Sequence, residues 1–304
     1  MTVIKDIPSL EKIRETSRKE KARLGNVLKD KILVCMGGGC LASGSQKIKE
    51  NFVLALQKVG LDKAVSVVGT GCLGPCAHGP VVVMARDKIF YQNVTVDDVE
   101  DIINEHVKNN KIVDRLAFRE DSESKPIPVL TDINFFKRQT KIVLRNCGEI
   151  DPLSIDDYIG QDGYFALAKM LSGMKPEDII KELEKSGLRG RGGAGFPTWM
   201  KWSMASKNPS NKKYILCNAD EGDPGAYMDR SVLEGDPHSI IEGMAIGAYA
   251  IGAEEGYIYV RAEYPLAVER LQYAIDKAKE YGLLGTNILG SGFSFSLEIR
   301  MGSG

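Results

Sequence analysis

The chain has 304 residues, enough for two domains of roughly 150 residues that each bury a core. Its 40 Lys and Arg residues balance 41 Asp and Glu residues, and the net charge of -1 excludes a protein built to grip nucleic acid through a strongly basic surface. The 32 glycines are about 11% of the chain against about 7% in an average protein, which makes glycine the first anomaly of the composition.

We expect no secretory signal in the first residues, because Asp6, Glu11 and Glu15 interrupt them. The longest apolar stretch, residues 240–253, contains Glu242 and falls short of the ~20 residues that a membrane helix needs. We therefore expect a cytoplasmic protein with reduced thiols and no direct membrane insertion.

The first part of the chain predicts a helical arm followed by a small α/β domain. Residues 1–30 are highly charged, with Leu10, Ile13 and Leu24 as weak apolar spacing, and predict a solvated helical arm. Residues 31–110 predict the order strand, helix, strand, strand, strand, helix, which is similar to a thioredoxin-like layout. The predicted strands cover residues 32–34, 65–68, 81–84 and 89–94, and the helices follow capping signatures at Ser43 with Gln46 and at Thr95 with Asp98.

A second α/β domain follows a predicted linker. Residues 111–140 are polar and contain two prolines, which predicts the linker. Residues 141–304 alternate predicted strands and helices. The strands are expected at residues 142–144, 214–217, 257–260 and 293–299, and the helices at residues 164–171, 176–186, 238–251 and 265–281. Because the chain stops just behind a predicted core strand, we expect it to be the front part of a longer polypeptide.

Four of the six cysteines form two closely spaced pairs. Cys35 and Cys40 give a C-x4-C pair after one predicted strand, and Cys72 and Cys76 give a C-x3-C pair in a loop after another. Four thiolates on glycine-rich loops suit an iron-sulfur cluster, because only glycine lets backbone N–H groups come close to the sulfurs. Structural zinc, which usually uses C-x2-C pairs, and four buried or redox-labile thiols remain as alternatives. His78 is expected not to be a ligand.

The paired cysteine loops resemble those of the thioredoxin-like [2Fe-2S] ferredoxins over residues 31–110. The resemblance implies that Cys35, Cys40, Cys72 and Cys76 together hold one [2Fe-2S] cluster.

A glycine-rich loop at residues 187–198 contains a G-x-G-x-x-G pattern, but a predicted helix precedes it where the dinucleotide-binding fingerprint needs a strand. Its consecutive glycines expose N–H groups, and Arg189 and Arg191 add positive charge. Thr198 is expected to cap a helix that carries Lys201. This combination predicts an anion cradle for phosphate; a flexible loop with two solvated arginines is the alternative.

An acidic loop at residues 218–225 follows a predicted strand, where ligand sites of α/β sheets gather. Its amide and carboxylates suit the hydroxyl groups of a ribityl chain or a ribose. A divalent cation site, which would lack the EF-hand spacing, and a solvated acidic turn are the alternatives.

Together, the segments 187–201 and 217–230 resemble the FMN- and NADH-binding subunit of respiratory complex I and its relatives over residues 141–304. Those relatives include the β subunits of NAD-linked hydrogenases and formate dehydrogenases. In the family an aromatic residue stacks on the nucleotide where Met204 stands here. The resemblance implies FMN contacts by Gly190, Arg191, Gly192, Lys201, Asn218, Asp220 and Glu221, and NADH contacts by Phe196 and Asp223. The loop that lies along the dinucleotide adds Gly187, Arg189, Gly193 and Gly195 to this set.

The resemblance implies an NADH-oxidising or NAD-reducing subunit in which the flavin, and no protein side chain, carries the chemistry. Its expected partners are NADH and other iron-sulfur subunits of a hydrogenase, formate dehydrogenase or complex I-like assembly. Members of this family continue beyond the segment that ends at Gly304 here, and a [4Fe-4S] cluster is expected only in that later part. Cys147 and Cys217 are expected to be buried thiols.

Two further expectations come from the same residues. The acidic trio Asp220, Glu221 and Asp223 would repel a 2′-phosphate, which predicts NAD over NADP. A non-catalytic [2Fe-2S] electron-carrier or docking module is the main alternative function, and a zinc or thiol protein is the second alternative.

Overall fold

The computed structural model describes residues 3–27, 30–121, 124–223 and 225–303. The chain divides into two compact units, each with one β-sheet. The four-stranded unit comprises residues 17–154 and 234–236, and the three-stranded unit comprises residues 1–16, 155–233 and 237–304. The domain boundaries drawn from the sequence stay a prediction.

The four-stranded unit has the predicted thioredoxin-like sheet. Its strands lie in the order β2-β1-β3-β4, with β1 and β2 parallel and the other two pairings antiparallel. This arrangement confirms the predicted order of elements. The strands are β1 (Asp30–Cys35), β2 (Val65–Thr70), β3 (Val82–Met84) and β4 (Ile89–Tyr91).

Helices cover this sheet through apolar side chains. Ile48 and Phe52 of one helix and Val99 of another are buried in the same core as Ile32 and Val34 of β1. The helices after α1 (Ile7–Val27) are α2 (Gly38–Ala42), α3 (Ser45–Lys58) and α4 (Asp98–Asp101), which continues as a π-helix over Ile102–Lys108.

The two capping predictions have different outcomes. At Thr95 only part of the signature forms: the Asp98 carboxylate accepts the N–H and the hydroxyl of Thr95, both at 2.7 Å, but Asp97 is the N-cap residue of α4 and there is no side-chain cap hydrogen bond. The signature at Ser43 is wrong, because Ser43 ends α2 and Gly44 precedes α3. Ser43 is the C-cap residue of the short helix α2 and therefore does not cap the start of α3.

The predicted helical arm forms α1, but it is not wholly solvated. Leu10 is buried, and the N–H of the preceding Ile4 donates to the Tyr281 carbonyl at 2.8 Å. Both residues of this hydrogen bond belong to the three-stranded unit. The side chain of Leu24 lies outside the described residues.

Residues 111–140, the predicted linker, contain the short helix α5 (Asn134–Lys137) and several buried side chains. Val113 and Leu116 join one core of the four-stranded unit, and Phe118 and Ile133 join another. The prolines therefore interrupt regular secondary structure without keeping this segment away from the core.

The strand predicted at residues 142–144 is wrong. Ile142 and Val143 are 73% and 57% exposed. The segment forms turns that are closed by short-range backbone hydrogen bonds. In one of them, the Cys147 N–H donates to the Leu144 carbonyl at 3.1 Å. An apolar triplet is too short a signal to separate a buried strand from an exposed turn.

The three-stranded unit is a parallel α/β layer, as predicted. Its sheet has the order β5-β6-β7, with β5 (Tyr214–Ala219), β6 (Glu255–Arg261) and β7 (Ser296–Gly302). Because the strands are parallel, their carboxyl ends lie at one edge of the sheet, where ligand sites form in open α/β sheets. The helices are α6 (Ile155–Gly160), α7 (Phe165–Leu171), α8 (Pro176–Ser186), α9 (Thr198–Lys207), α10 (Met228–Gly235), α11 (Pro237–Ile251) and α12 (Pro265–Glu280).

Helix α11 holds β5 and α9 together. A Cβ at Gly247 would lie 2.4 Å from Ile215 Cδ1 of β5 and 3.0 Å from the Trp202 ring of α9. Only a residue without a side chain allows this approach. The packing fixes α9 and β5 to one scaffold, and the two predicted ligand loops attach to these elements, one before α9 and one after β5.

A buried polar network lies under α11. The Glu242 carboxylate accepts the Tyr158 hydroxyl at 2.6 Å and the Tyr164 N–H at 2.7 Å, and the Tyr164 hydroxyl lies 2.8 Å from His238 Nδ1. His238 is 2% exposed. Burial lowers its pKa to about 3.

This histidine predicts a pH-dependent stability. His238 stays neutral in the folded chain, whereas in the unfolded chain it takes a proton below pH 6.5. The unfolded state then binds more protons, so the free energy of unfolding should fall by about 1.4 kcal/mol per pH unit between pH 6.5 and about 3. The slope approaches this value only where the unfolded histidine is mostly protonated, so urea unfolding at pH 5.5 and 4.5 measures it. His238→Gln should flatten the slope by this amount, and an unchanged slope would contradict the assignment.

No helix in the described part of the chain combines the length and the apolar character required to cross a membrane.

Candidate cofactor sites

The structure brings the four predicted cluster ligands together. Cys35 ends β1 and Cys40 lies in α2, while Cys72 lies in the loop after β2 and Cys76 begins a 3-10 turn. Because β1 and β2 are parallel neighbours, both loops leave the same sheet edge. The Cys35 thiol lies within hydrogen-bonding distance of the Cys40 and Cys72 sulfurs, and Cys72 lies within the same reach of Cys76.

Glycines let the two loops close on these sulfurs. A Cβ at Gly37 would lie 2.8 Å from the Cys72 Cβ, and one at Gly79 would lie 2.9 Å from the Cys40 Sγ. The backbone N–H groups of Gly37 and Gly74 donate to the sulfurs of Cys35 and Cys72. Such N–H donors suit the sulfurs of an iron-sulfur cluster. The residues present therefore fit a four-thiolate centre.

The pKa values of three of the four thiols depart from their usual range in different directions, and the hydrogen bond with Cys35 lowers the pKa of Cys40. The hydrogen bond with Cys40 raises the pKa of Cys35 to about 11, and the hydrogen bond with Cys35 raises the pKa of Cys72 above its usual range. A bound metal takes thiolate ligands and removes this penalty. Cys35 and Cys40 are buried and Cys76 is exposed, so the site reaches from the core to the surface.

His78 packs as an aromatic side chain beside this site. Its ring centroid lies 4.8 Å from that of Phe118 at a tilted angle. This contact gives the ring a packing role, and the expectation that it is not a ligand stays a prediction.

A fifth cysteine supports the loop that carries Cys72. Cys147 is 3% exposed, and burial with the neighbouring Asp236 raises its pKa to about 12. A Cβ at Gly71 would lie 3.2 Å from Cys147 Sγ and 2.7 Å from the Gly235 Cα. Cys147 is thus a buried thiol, as predicted. Cys217 is only half-buried, and burial raises its pKa to about 11.

We expect Gly235→Ala to destabilise the four-stranded unit by about 1–3 kcal/mol, the usual effect of overpacking a core. Its Cβ would lie 2.5 Å from Cys147 Sγ. Adding Cys147→Ala should restore most of the lost stability, because it removes the sulfur. Gly243→Ala in α11, with open space around the new Cβ, serves as the control and should not destabilise. Urea unfolding measures all four chains, and equal effects at the two glycines would contradict the packing argument.

The glycine-rich loop between α8 and α9 presents open backbone. Gly187, Gly193 and Gly195 have φ angles of +66°, +96° and +62°, which favour glycine. A Cβ at any of them, or at Gly192, would meet no atom of the described chain within 4 Å. The loop thus offers exposed backbone that a ligand can approach closely.

Backbone hydrogen bonds hold the ends of this loop together. The Gly190 N–H donates to the Phe196 carbonyl at 2.8 Å, and the Thr198 N–H donates to the Leu188 carbonyl at 3.0 Å. Arg189 Nη1 donates to the Gly195 carbonyl at 3.1 Å and therefore braces the loop, whereas Arg191 is exposed. A flexible loop with two solvated arginines, the alternative given above, would not have these hydrogen bonds.

The start of α9 differs from the prediction in one residue. Pro197 occupies the N-cap position and Thr198 is the first helical residue, with no side-chain cap hydrogen bond. The reason is that Pro197 already has the extended backbone that a cap requires. Lys201 is exposed one turn into the helix, which leaves its ammonium group available to an anion.

The acidic loop after β5 gives its carboxylates different surroundings. One Asp220 carboxylate oxygen, Oδ1, is buried and has no hydrogen-bond partner among the residues that the structure describes. Its N–H donates to Asn218 Oδ1 at 3.1 Å. Asp223 is exposed. A buried acceptor without a donor suits a ligand rich in hydroxyl or N–H groups, such as a flavin with its ribityl chain.

Glu221 is engaged within the protein. It is 7% exposed, and its carboxylate accepts the N–H groups of Asp229 at 3.3 Å and Arg230 at 3.0 Å at the start of α10. Its predicted contact with FMN stays a prediction, and its role in the described structure is to hold the loop.

Two residues near this loop were missed from the sequence. Arg261 Nη1 donates to the Glu221 carbonyl at 2.9 Å, and the Tyr264 hydroxyl lies within hydrogen-bonding distance of the Glu221 carboxylate. Arg261 ends β6, so the rule that ligand sites gather at strand ends could have identified this pair.

Each unit contains a segment that matches the model of a known protein family. Residues 22–107 match the family model of the thioredoxin-like [2Fe-2S] ferredoxins, and residues 183–304 match that of the Nuo51 FMN-binding domain. A solved thioredoxin-like [2Fe-2S] ferredoxin from Aquifex aeolicus is 29% identical, with a TM-score of 0.28, and covers 29% of this chain and 87% of that one.

Two curated relatives each match about half of the chain. The NADP-reducing hydrogenase subunit HndC of Solidesulfovibrio fructosivorans is 61% identical over 168 residues, 55% of this chain and 34% of that protein. An F-type subunit of the NADH-quinone oxidoreductase of Rhizobium meliloti is 50% identical over 163 residues, 54% of this chain and 39% of that protein. The matched part thus spans less than half the length of either relative. Residues 22–107 are thus similar to the thioredoxin-like [2Fe-2S] ferredoxins, and residues 183–304 are similar to the Nuo51 FMN-binding domain.

Proposed function

We propose that the chain is part of an NADH-oxidising or NAD-reducing flavoprotein subunit that passes electrons between NAD(H), FMN and a [2Fe-2S] cluster. The observation that carries this proposal is the presence, in one chain, of four convergent cysteine sulfurs and an acidic loop in which a buried Asp220 oxygen has no hydrogen-bond partner among the described residues. When bound, FMN supplies the exchange between the two electrons of a hydride and single electrons.

The protein's own part is to hold the flavin and the nucleotide. The exposed N–H groups of the glycine-rich loop, with Arg191 and Lys201, would bind phosphate, because they place donors and positive charge on one loop and the helix that follows it. Asn218 and Asp220 would accept hydrogen bonds from the flavin. The remaining proposed contacts are Gly190, Gly192 and Glu221 for the flavin, and Gly187, Arg189, Gly193, Gly195, Phe196 and Asp223 for the dinucleotide.

The cluster site has the features of an electron entry or exit point. Cys35 and Cys40 would anchor the cluster in the core, and the exposed Cys76 would bring its edge to the surface. N–H donors from Gly37 and Gly74 would stabilise the thiolates.

The partners follow from the relatives, which are named as hydrogenase and NADH-quinone oxidoreductase subunits. We propose that this chain exchanges electrons with other iron-sulfur subunits of a hydrogenase, a formate dehydrogenase or a complex I-like assembly. A [4Fe-4S] cluster would belong to the part of the relatives that this chain does not match. We propose a reducing, cytoplasmic location, in which the cysteines stay available as cluster ligands.

An anaerobic titration with NADH tests the proposal. Flavin absorbance at about 450 nm should bleach and the EPR signal of a reduced [2Fe-2S] cluster should appear, with about 1.5 NADH consumed per chain, because FMN takes two electrons and the cluster one. A cluster signal without bound flavin would favour the electron-carrier or docking module. Zinc in place of iron would favour the zinc or thiol protein.

We propose that Asp223 sets the preference for NAD over NADP. Glu221 is buried and Asp220 is half-buried, so the exposed Asp223 is the carboxylate of the trio best placed to repel a 2′-phosphate. We expect NADH to reduce the flavin faster than NADPH, and Asp223→Asn to narrow the ratio of the two rates by roughly fivefold. Asp276→Asn, an exposed carboxylate on α12, should leave the ratio unchanged.

Stopped-flow reduction with each nucleotide measures this ratio. Equal rates with NADH and NADPH would overturn the proposed preference. The relative HndC is named as a subunit of an NADP-reducing hydrogenase, so the test includes both nucleotides.

A further inference from the structure

We infer that Arg261 and Tyr264 are positioning residues of the flavin site, which hold the Glu221 backbone and side chain and thereby aim the Asp220 carboxylate at the ligand. The inference rests on the proposed function for the identity of the ligand. It adds two residues, on a different strand end, that no sequence motif of the site includes.

Glu221 has a backbone conformation that needs external support. Its φ angle is +46°, in the left-handed region that residues with a side chain rarely adopt. Such conformations persist when the surrounding contacts over-determine them, and they gather at ligand sites. Four groups provide the contacts at Glu221: the N–H groups of Asp229 and Arg230, the Tyr264 hydroxyl and the Arg261 guanidinium.

The Arg261 guanidinium is itself held in place. Its Nε and Nη2 donate to the two Glu263 carboxylate oxygens at 3.3 and 3.2 Å. Its Cζ lies 5.4 Å from the centroid of the Tyr264 ring, and Arg230 Cζ lies 5.3 Å from the same centroid. Tyr264 is 7% exposed. A guanidinium restrained at this many points loses little freedom when it donates to the Glu221 carbonyl.

The consequence falls on Asp220, which lies between the end of β5 and Glu221. Its Oδ1 is buried without a hydrogen-bond partner among the described residues. A buried acceptor is costly to leave unpaired, so a loop free to move would turn this oxygen towards water. The bonds from Arg261 and Tyr264 to Glu221 keep the loop from making that adjustment, which leaves the Asp220 oxygen ready for a donor on the flavin.

The matched control is Arg300 in the neighbouring strand β7. Arg300 also pairs with a glutamate, Glu298, at 2.7 Å, and its Cζ also lies over a tyrosine ring, that of Tyr257, at 5.2 Å. It thus repeats the ion pair and the ring contact of Arg261, and its described hydrogen bond goes to Glu298 and not to Glu221. Arg261→Lys keeps a cationic donor and should rescue part of the effect.

The experiment uses the 304-residue chain and two readouts. Hydrogen exchange followed by mass spectrometry, without flavin, reports the mobility of residues 219–223, and quenching of FMN fluorescence reports the dissociation constant. In Arg261→Ala we expect exchange in this segment to be about tenfold faster and FMN binding about tenfold weaker, with an intermediate Arg261→Lys and an unchanged Arg300→Ala.

The inference would be overturned if Arg261→Ala had the exchange rate and the FMN affinity of the wild-type chain. It would also be overturned if Arg300→Ala changed both quantities as much as Arg261→Ala, because that would indicate a general loss of sheet stability. If the wild-type chain bound no FMN, the proposed flavin function would fail. The exchange measurement would still decide whether Arg261 holds the loop, so the two failures are distinguishable.

Discussion

Replacing Cys72 with alanine is expected to remove the [2Fe-2S] cluster from the chain. The Cys72 sulfur lies within hydrogen-bonding distance of both Cys35 and Cys76, so it connects the two cysteine loops. With three thiolates left, one iron would lose a protein ligand. Iron and sulfide content, together with the EPR signal after reduction, should fall to background.

Two cysteines outside the set provide matched controls. Cys217→Ala changes a half-buried thiol of the three-stranded unit and should leave the iron content unchanged. Cys147→Ala tests the thiol next to the Cys72 loop, and it should also keep two iron ions, because the four paired cysteines suffice. Full iron content in Cys72→Ala, or its loss in Cys217→Ala, would contradict the ligand assignment.

The second large effect is expected at Asp220. Asp220→Ala removes the buried acceptor that we assign to the flavin, and it should weaken FMN binding by about 1.5–3 kcal/mol, roughly 10- to 150-fold. Asp220→Asn keeps an acceptor oxygen at the same place and should lose less. Fluorescence quenching of FMN measures the three dissociation constants, with Asp276→Ala as the control.

The stability of the same variant separates a binding role from a structural role. Since Oδ1 has no partner among the described residues, Asp220→Ala should keep or slightly raise the free energy of unfolding. Binding residues often show this combination of lost affinity and retained stability. If instead the variant bound FMN normally and unfolded more easily, Asp220 would be a structural residue.

Most elements of the fold could be predicted from the sequence, because each depends on a pattern of a few neighbouring residues. The thioredoxin-like order followed from short apolar runs, and the cluster site followed from two cysteine spacings next to predicted strands. The errors also arose locally. Residues 142–144 have a strand-like composition but are coiled by hydrogen bonds to the next turn, and Ser43 has a cap-like neighbour but ends a different helix.

The features that the sequence could not predict depend on contacts between distant segments. The approach of Gly235 to Gly71, with Cys147 Sγ against both, joins three stretches of the chain. The support of Glu221 by Arg261 and Tyr264 joins two strand ends. The strand-end position of Arg261 indicates nearness to a ligand site, but a glycine or an arginine in isolation does not indicate which segment it will meet.

The central claim is that this chain holds a [2Fe-2S] cluster and an FMN at two separate sites. The most direct measurement is the content of iron, acid-labile sulfide, zinc and FMN in the chain purified anaerobically and supplied with flavin. We predict about two iron, about two sulfide and about one FMN per chain, without zinc. Zinc in place of iron, or a chain that retains iron and sulfide but no flavin, would contradict the claim.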